Sequence, residues 1–323
     1  TLAAGLSVFA ADSAPLAPYG NTEDVFSLVT YADKDSIYYL DYAQDFAALD
    51  ILYGMGNRYN PGYRYENSSA LHLIYRTVGR GQEGMDAAYN MEMRQAAGLG
   101  AFDEMSWADG YYLLALKDGL IGSQEFVQAF TQPASEFARK SEVSVQNFIR
   151  WMCIMHNIPT SPEPLPESIY VDPNYMPYYS GMYQAGIMNL TEIRDFNQWR
   201  YLSKNDLPLI LKKFEKQILP RLNVELFPAT VSQINESYQG ETLVRTIKAG
   251  SLSIQTKTNR LEPVFSQLKN EIPVLGKGEP DTSGCIRVGE KLNVYVKDGK
   301  VLFIRVTSPA NSCLLYTSDA ADD

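Results

Sequence analysis

Hydrophobic residues recur at helical spacing in paired segments along the first two thirds of the chain. In the clearest pair, a proline-containing aromatic segment runs from Tyr170 to Gly186, where glycine can close a helix in the left-handed conformation. After a polar connector, Ser203 and Asp206 have the spacing of a capping box. An apolar stripe follows, made of Leu207, Ile210, Leu211 and Phe214. The pattern predicts a helix, a glycine stop, a connector and a capped helix.

The same plan occurs upstream, over residues 101–160. This copy begins with aromatic and acidic residues, namely Phe102, Asp103 and Trp107. Its first helix is predicted to end at Gly119. The sequence Arg-Lys-Ser-Glu at residues 139–142, in which Lys140 and Glu142 have basic-x-acidic spacing, is predicted to open the second helix.

A shorter version covers residues 21–100. A helical run from Asp41 is predicted to stop at Gly56, and Asn67 or Ser68 is predicted to cap the next helix. The helix-ending glycines, Gly56, Gly119 and Gly186, are separated by 63 and 67 residues. A period of this kind indicates an internal repeat whose units share one core, because each unit alone can bury only one face.

The repeated unit resembles a module of the S-layer homology family. That family combines an aromatic-x-Asp start, an aromatic-rich helix ending in Gly-Ile, and Thr-Arg-Ala-Glu at the start of a second helix. Tyr170-Val171-Asp172 matches the start, Gly186-Ile187 the helix end, and Ser203-Lys204-Asn205-Asp206 the signature in conservative form. The first copy reads Glu66-Asn67-Ser68-Ser69 there and lacks the basic residue. The resemblance covers roughly residues 40–220.

The resemblance implies a mainly α-helical repeat domain of three pseudo-threefold modules, at residues 21–100, 101–160 and 161–221. It also implies a secreted, non-enzymatic protein without a cofactor, held noncovalently on the cell surface. The implied partner is secondary cell-wall polysaccharide, an anionic glycan, with surface-layer proteins as further partners. Glycan binding is implied for Asp172, Gly186 and Lys204 in the third module, and for Asp103, Trp107, Gly119 and Lys140 in the second. Arg139 is an alternative to Lys140.

After Pro220 the hydrophobic period changes from helical to alternating. A hairpin is predicted around Asp298-Gly299, because this dipeptide suits a tight turn and alternating valines and aromatics flank it. Residues 222–309 are therefore predicted to form a small all-β barrel or sandwich.

Composition narrows the choice of partners. The net charge of −10 and pI of about 4.9 argue against nucleic acid, which requires a basic surface. No segment is apolar over the roughly 20 residues that a membrane span requires. The two histidines and three cysteines lack the spacings of a metal site.

The two ends of the sequence are not expected to belong to the folded domains. Residues 1–14 resemble the end of a secretory signal peptide, cut near Ala10 or Ala11, because a small apolar run precedes a polar stretch. Residues 310–323 resemble translated sequencing-adapter read-through.

Two other functions stay open at this point. One is a surface-assembly scaffold that has lost glycan binding, which the acidic charge favours because an anionic polymer repels it. The other is the anchoring region of an enzyme whose catalytic domain lies beyond residue 310.

Overall fold

The structure is a computed structural model that describes residues 14–98, 108–166, 169–197 and 199–308. It divides the chain into two compact units. One unit comprises Tyr31–Asn223 and is helical. The other combines Thr1–Thr30 with Val224–Asp323 and contains a β-sheet.

The described residues contain thirteen α-helices and eight strands. The helices are α1 (Thr22–Val29), α2 (Leu40–Ala48), α3 (Asn67–Arg76), α4 (Gly81–Ala88), α5 (Met91–Ala96), α6 (Asp109–Lys117), α7 (Ser123–Thr131), α8 (Val145–Met155), α9 (Met176–Gln184), α10 (Leu190–Phe196), α11 (Leu207–Lys213), α12 (Glu215–Arg221) and α13 (Val264–Leu268). The strands are β1 (Ala17–Pro18), β2 (Val224–Gln239), β3 (Thr242–Ala249), β4 (Leu252–Asn259), β5 (Pro273–Leu275), β6 (Asp281–Thr282), β7 (Lys291–Lys297) and β8 (Lys300–Ser308).

Three short extended segments of the helical unit, residues 64–66, 142–144 and 201–203, pair with one another in a closed ring. The amide of Tyr65 donates to the carbonyl of Leu202 at 3.1 Å. The amide of Leu202 donates to Val143 at 2.8 Å, and that of Val143 donates to Tyr65 at 2.8 Å. All three side chains are buried. We call this arrangement the backbone ring.

The backbone ring fixes where three helices begin. Helices α3, α8 and α11 follow its three segments within a few residues. The amides of Asn67, Val145 and Lys204 make the next hydrogen bonds of the ring, each to the carbonyl of a neighbouring segment, at 3.0, 3.0 and 2.8 Å. These three residues therefore occupy equivalent positions. In the same alignment, Ser144 is equivalent to Ser203. The sequence pattern had instead placed the four-residue signature of the second module at residues 139–142.

Helices α2, α6 and α9 end in the same way. Each is followed by one residue with positive φ, namely Asp50 (63°), Gly119 (75°) and Gly186 (66°). The next amide then bonds back across the helix end, as in the pairs Ile51–Phe46, Leu120–Ala115 and Ile187–Met182, at 2.8–2.9 Å. This is the hydrogen bond of a Schellman motif.

The prediction that the first helix runs on to Gly56 is wrong. Helix α2 ends at Ala48, and Asp50 takes the left-handed position that glycine fills in the other two copies. Gly56 also has positive φ, but it lies in the turn between Met55 and Arg58, whose backbones pair. Aspartate tolerates the left-handed region better than most residues, so the glycine signal pointed to the wrong turn.

The sheet of the other unit is mixed and curled into a half-barrel. Its order is β4-β3-β2-β7-β8-β5-β6, and β1 pairs with β8. Strands β1 and β5 run parallel to β8, whereas the remaining pairs are antiparallel. The first half of β2 pairs with β7 and its second half with β3, so one long strand belongs to both parts of the sheet.

The predicted fold class is therefore wrong. The C-terminal part is not an all-β barrel or sandwich that follows a mainly α-helical repeat domain. Helix α13 lies within it, and helix α1 contacts α13 and β5. Leu16, from the N-terminal part of the chain, also packs into the apolar core of the sheet. The β7–β8 hairpin does turn at Asp298 and Gly299, which both have positive φ. The alternation of apolar and polar residues identified strands. It does not show which strands pair in parallel, and a strand of two residues is too short to produce it.

None of the helices described is long and apolar enough to cross a lipid bilayer.

Candidate functional site

Two clefts of the helical unit meet at Trp199. The larger, of about 480 Å³, is lined by Gln146, Ile169, Tyr170, Asp172, Arg194, Asn197 and Trp199. The smaller, of about 220 Å³, is lined by Ala134, Ser135, Glu136, Ser141, Glu142, Ser144, Asn147, Trp199 and Tyr201. We call them the larger cleft and the smaller cleft, and together the Trp199 groove.

Exposed aromatic rings are the main feature of the Trp199 groove. Tyr170 is 82% exposed, Trp199 69% and Tyr201 39%. The rings of Trp199 and Tyr201 have centroids 5.6 Å apart. Large aromatic surfaces left in water beside polar groups are typical of binding sites, because such side chains bury much area at small cost in rotamer entropy.

Hydrogen bonds on both sides of Trp199 hold the backbone of the groove. The side-chain nitrogen of Gln146 donates to the backbone carbonyl of Asn197 at 2.8 Å and to the side-chain oxygen of Asn197 at 3.0 Å. Asn197 in turn donates to the carbonyl of Tyr170. On the other side, Arg200 forms a bidentate pair with Asp206 at 2.6 and 2.8 Å. The segment that carries Trp199 is therefore anchored at both ends.

The two clefts differ in charge. Arg194 and Asp172 line the larger cleft, whereas Glu136 and Glu142 line the smaller one. Glu142 pairs with Arg64 at 3.1 Å, and the guanidinium of Arg64 lies 5.6 Å from the centroid of the Tyr201 ring. The groove thus offers cations near both clefts and acceptors for hydroxyl groups between them.

Asp172 is the one described residue of the predicted set that lines the Trp199 groove. Its side chain accepts a hydrogen bond from the amide of Asn174 at 2.9 Å, which shapes the turn before α9. Asp103 and Trp107, which were also predicted to bind glycan, lie outside the described residues.

Lys204 has a buried environment and is only 3% exposed. Its ammonium group donates to the carbonyl of Tyr53 and lies 4.7 Å from the centroid of the Tyr59 ring. The Tyr59 hydroxyl donates to the carbonyl of Lys204 at 2.8 Å. Burial lowers the pKa of Lys204 to about 8, although the nearby Asp33 carboxylate opposes this effect. These contacts make Lys204 a link between two segments of the fold.

The equivalent positions of the backbone ring are buried as well. Asn67 is fully buried, and its side-chain amide donates to the carbonyls of Glu136 and Ala138 at 2.7 and 3.0 Å. Val145 is fully buried and apolar. The position at which the resemblance places a ligand-binding cation is therefore an interior position in each segment.

The other predicted residues lie away from the lining of both clefts. Gly119 and Gly186 are exposed, and each closes a helix with positive φ. Lys140 is exposed and directly precedes Ser141 of the smaller cleft, but it lies outside the backbone ring. A glycan-binding role for these three residues and for Lys204 stays a prediction.

Sequence reasoning missed several residues that the structure makes prominent. Trp199 and Tyr201 form an aromatic pair just before Ser203, and this pair was a usable sequence signal for a binding surface.

Asp33 was missed too, although Tyr31-Ala32-Asp33 repeats the aromatic-x-Asp start 70 residues before Asp103. Its two carboxylate oxygens accept from the amides of Tyr59 and Asn60 at 2.7 and 2.8 Å. Burial opposes ionisation, but these hydrogen bonds outweigh it and lower the pKa of Asp33.

Within the described ranges, no group of three or more His, Cys, Asp or Glu side chains is arranged to hold a metal ion. Comparison with known proteins finds no matching family model and no matching curated protein.

Proposed function

We propose that this chain is a secreted bacterial cell-surface protein that binds a cell-wall glycan in the Trp199 groove. The observation that carries the proposal is the presence of three exposed rings, Tyr170, Trp199 and Tyr201, in the lining of clefts that also hold carboxylates and amides. Sugar rings present apolar C–H faces and hydroxyl edges, and this combination of flat aromatic surface and hydrogen-bonding groups complements both.

The sequence resemblance to S-layer homology modules supports the choice of glycan. Its signature segments, at residues 66–69, 139–142 and 203–206, each share one residue with the backbone ring, and Asp172 of the third module's aromatic-x-Asp start lines the groove. The ligand favoured by the resemblance is the anionic secondary cell-wall polysaccharide. Anchoring would be noncovalent and would involve no chemical step.

The acidic charge of the chain sets a condition on this proposal. With a net charge of −10, an anionic polymer is repelled at long range unless local cations focus the field. Arg194 supplies positive charge in the larger cleft, whereas Arg64 beside the smaller cleft is paired with Glu142. We therefore expect binding to strengthen with moderate salt, which screens the general repulsion, before high salt weakens the local contacts.

Removal of the central ring tests the proposal. We expect Trp199→Ala to weaken binding to purified cell-wall sacculi by about ten- to a hundredfold, because stacking on an exposed ring is lost. The measurement is depletion of the protein from solution at fixed salt. Tyr238→Ala is the matched control, since Tyr238 is 58% exposed and lies in the other unit. Equal binding by wild type and Trp199→Ala would contradict the assignment.

A surface-assembly scaffold without glycan binding is the second candidate. The observation that favours it is the burial of Lys204, the signature cation of the third module. A scaffold predicts that the wild-type protein fails to bind sacculi yet associates with surface-layer protein. Sedimentation with each material separates the two functions.

A further inference from the structure

The second half of strand β2 has one edge without a neighbouring strand. The first half of β2, up to Thr230, pairs with β7, and the second half, from Val231 to Gln239, pairs with β3 on the opposite edge. Among the described residues, β2 has no other neighbour in the sheet. Residues 232–239 are all exposed except Ile234, which is partly buried. We call the edge of residues 232–239 that faces away from β3 the open edge.

The turn between β2 and β3 determines which backbone groups the open edge presents. Residues 240–241 form a two-residue turn, so Gln239 and Thr242 are a hydrogen-bonded pair. Hydrogen-bonded and non-hydrogen-bonded pairs alternate along an antiparallel ladder, so every second residue of β2 bonds to β3. The residues between them direct their amides and carbonyls to the open edge, and these are Ile234, Glu236 and Tyr238.

The strands at the two ends of the sheet are protected against the addition of another strand, whereas the open edge is not. At β4, the segment around Leu16 occupies part of the edge, and the exposed Lys257 follows. At the other end, β6 has only two residues. Edge lysines and short edge strands both discourage pairing with another chain. Residues 232–239 contain neither lysine nor proline, and their one charged residue, Glu236, is paired with Arg245 of β3.

We infer that the open edge pairs with the same edge of a second copy of this chain, in an antiparallel arrangement centred on Asn235. The two copies then share one continuous sheet across a twofold axis. In this register Ile234 lies opposite Glu236 of the second copy. A shift of one residue would place the two Glu236 carboxylates opposite each other, which is unfavourable. The inference goes beyond the proposed function and does not depend on it.

Asn235 suits a position on the twofold axis. Its side chain is exposed and uncharged, and its oxygen accepts a hydrogen bond from the Gln233 side chain at 2.9 Å. An amide contains both donors and acceptors, so two equivalent amides can bond to each other. The two copies of Asn235 form a non-hydrogen-bonded backbone pair, in which the Cα atoms are about 4.5 Å apart. A charge introduced at this position therefore lies close to the identical charge of the second copy.

The expected dimer is weak. Pairing of one strand buries less than the roughly 1,200 Å² of total surface that stable complexes bury. The net charge of −10 on each copy adds long-range repulsion, which salt screens. We therefore expect dimerisation at high protein concentration and stronger dimerisation as salt is added.

Opposite charges at residue 235 test the arrangement. Sedimentation equilibrium of the full chain is measured from about 10 µM to about 1 mM at several salt concentrations. We expect wild type to dimerise and Asn235→Asp and Asn235→Lys each to weaken dimerisation by about tenfold or more, because like charges meet across the axis. An equimolar mixture of the two variants should recover dimerisation, because aspartate then lies opposite lysine. Ser251→Asp and Ser251→Lys are the controls, since Ser251 is exposed in the turn between β3 and β4.

Hydrogen exchange locates the contact independently of the charge variants. The amides of Ile234, Glu236 and Tyr238 should gain protection as protein concentration rises, because they become hydrogen-bonded to the second copy. The amide of Asn235 should change much less, since it already bonds to β3 within each copy.

Two results would overturn the inference. Wild-type protein that stays monomeric up to about 1 mM at every salt concentration would show that the open edge does not pair with itself. Dimerisation of both charge variants at the wild-type level, without concentration-dependent protection of residues 232–239, would place the contact elsewhere on the molecule. Neither result alters the sacculus binding expected of the Trp199 groove.

Discussion

At the scale of single residues, burial separates the structural side chains from the candidate binding ones. Lys204 was expected to meet an anionic glycan, yet it lies inside the fold between Tyr53 and Tyr59. Trp199 was not expected to bind, yet it is largely exposed between two clefts. Sequence spacing identifies equivalent positions in a repeat, but it does not show which face of the chain is covered by a neighbouring segment.

Burial of Lys204 predicts a pH dependence of stability. Its pKa in the folded protein is about 8, below the value of roughly 10.4 expected when unfolded. The unfolded chain therefore binds more protons between these values, so the free energy of unfolding should rise as pH increases from 8 towards 10. The gain is up to about 3 kcal/mol. Lys204→Met should remove it, as measured by urea unfolding at several pH values. A rise of the same size in both proteins would contradict this account.

At the scale of elements, the sequence predicted helices better than it predicted their ends. Helix α9 and its closure at Gly186 follow from the pattern, because proline at the start and glycine at the end have direct backbone causes. The closure at Asp50 was missed, because aspartate is a weaker signal for positive φ than glycine. The backbone ring was not predictable, since its three pairings join segments about 60 to 140 residues apart.

Substitution of Gly186 tests whether the residues that close these helices serve stability or glycan binding. We expect Gly186→Ala to lower the free energy of unfolding by about 1 kcal/mol, because its φ of 66° strains any L-residue although no atom would clash with the new methyl group. Gly62→Ala is the control, since Gly62 is exposed, has no left-handed φ and leaves open space for the new methyl group. Sacculus binding by Gly186→Ala should match wild type, and a selective loss of binding with unchanged stability would instead support the role implied by the resemblance.

At the scale of the whole molecule, one unit is assembled from both ends of the described chain. Leu16 is 7% exposed and belongs to the apolar core of the sheet, to which strands β2, β3, β4, β5, β7 and β8 contribute. Its amide donates to Ser253 at 2.7 Å, and the amide of Gln255 donates to Leu16 at 2.9 Å. Reading residues 222–309 as a separate β domain missed this contribution, because a two-residue strand leaves no periodic pattern in the sequence.

Leu16→Ala tests this contribution of the N-terminal segment. We expect the substitution to destabilise the sheet-containing unit by about 2–4 kcal/mol, because it removes apolar contacts from a closed core. Leu261→Ala is the control, since Leu261 is 76% exposed and should change stability by less than about 0.5 kcal/mol. Thermal unfolding followed by circular dichroism provides the comparison. Equal melting temperatures for the two variants would show that Leu16 does not stabilise the sheet.

The central claim is that exposed aromatic rings, and not the buried signature lysine, hold the glycan. Its most direct test is the binding of wild type, Trp199→Ala and Lys204→Met to purified cell-wall polysaccharide at one pH and salt concentration, with the folding of each variant verified. The account predicts that Lys204→Met binds within about twofold of wild type and that Trp199→Ala loses about ten- to a hundredfold. The reverse order, with Lys204→Met inactive and Trp199→Ala unaffected, would contradict it.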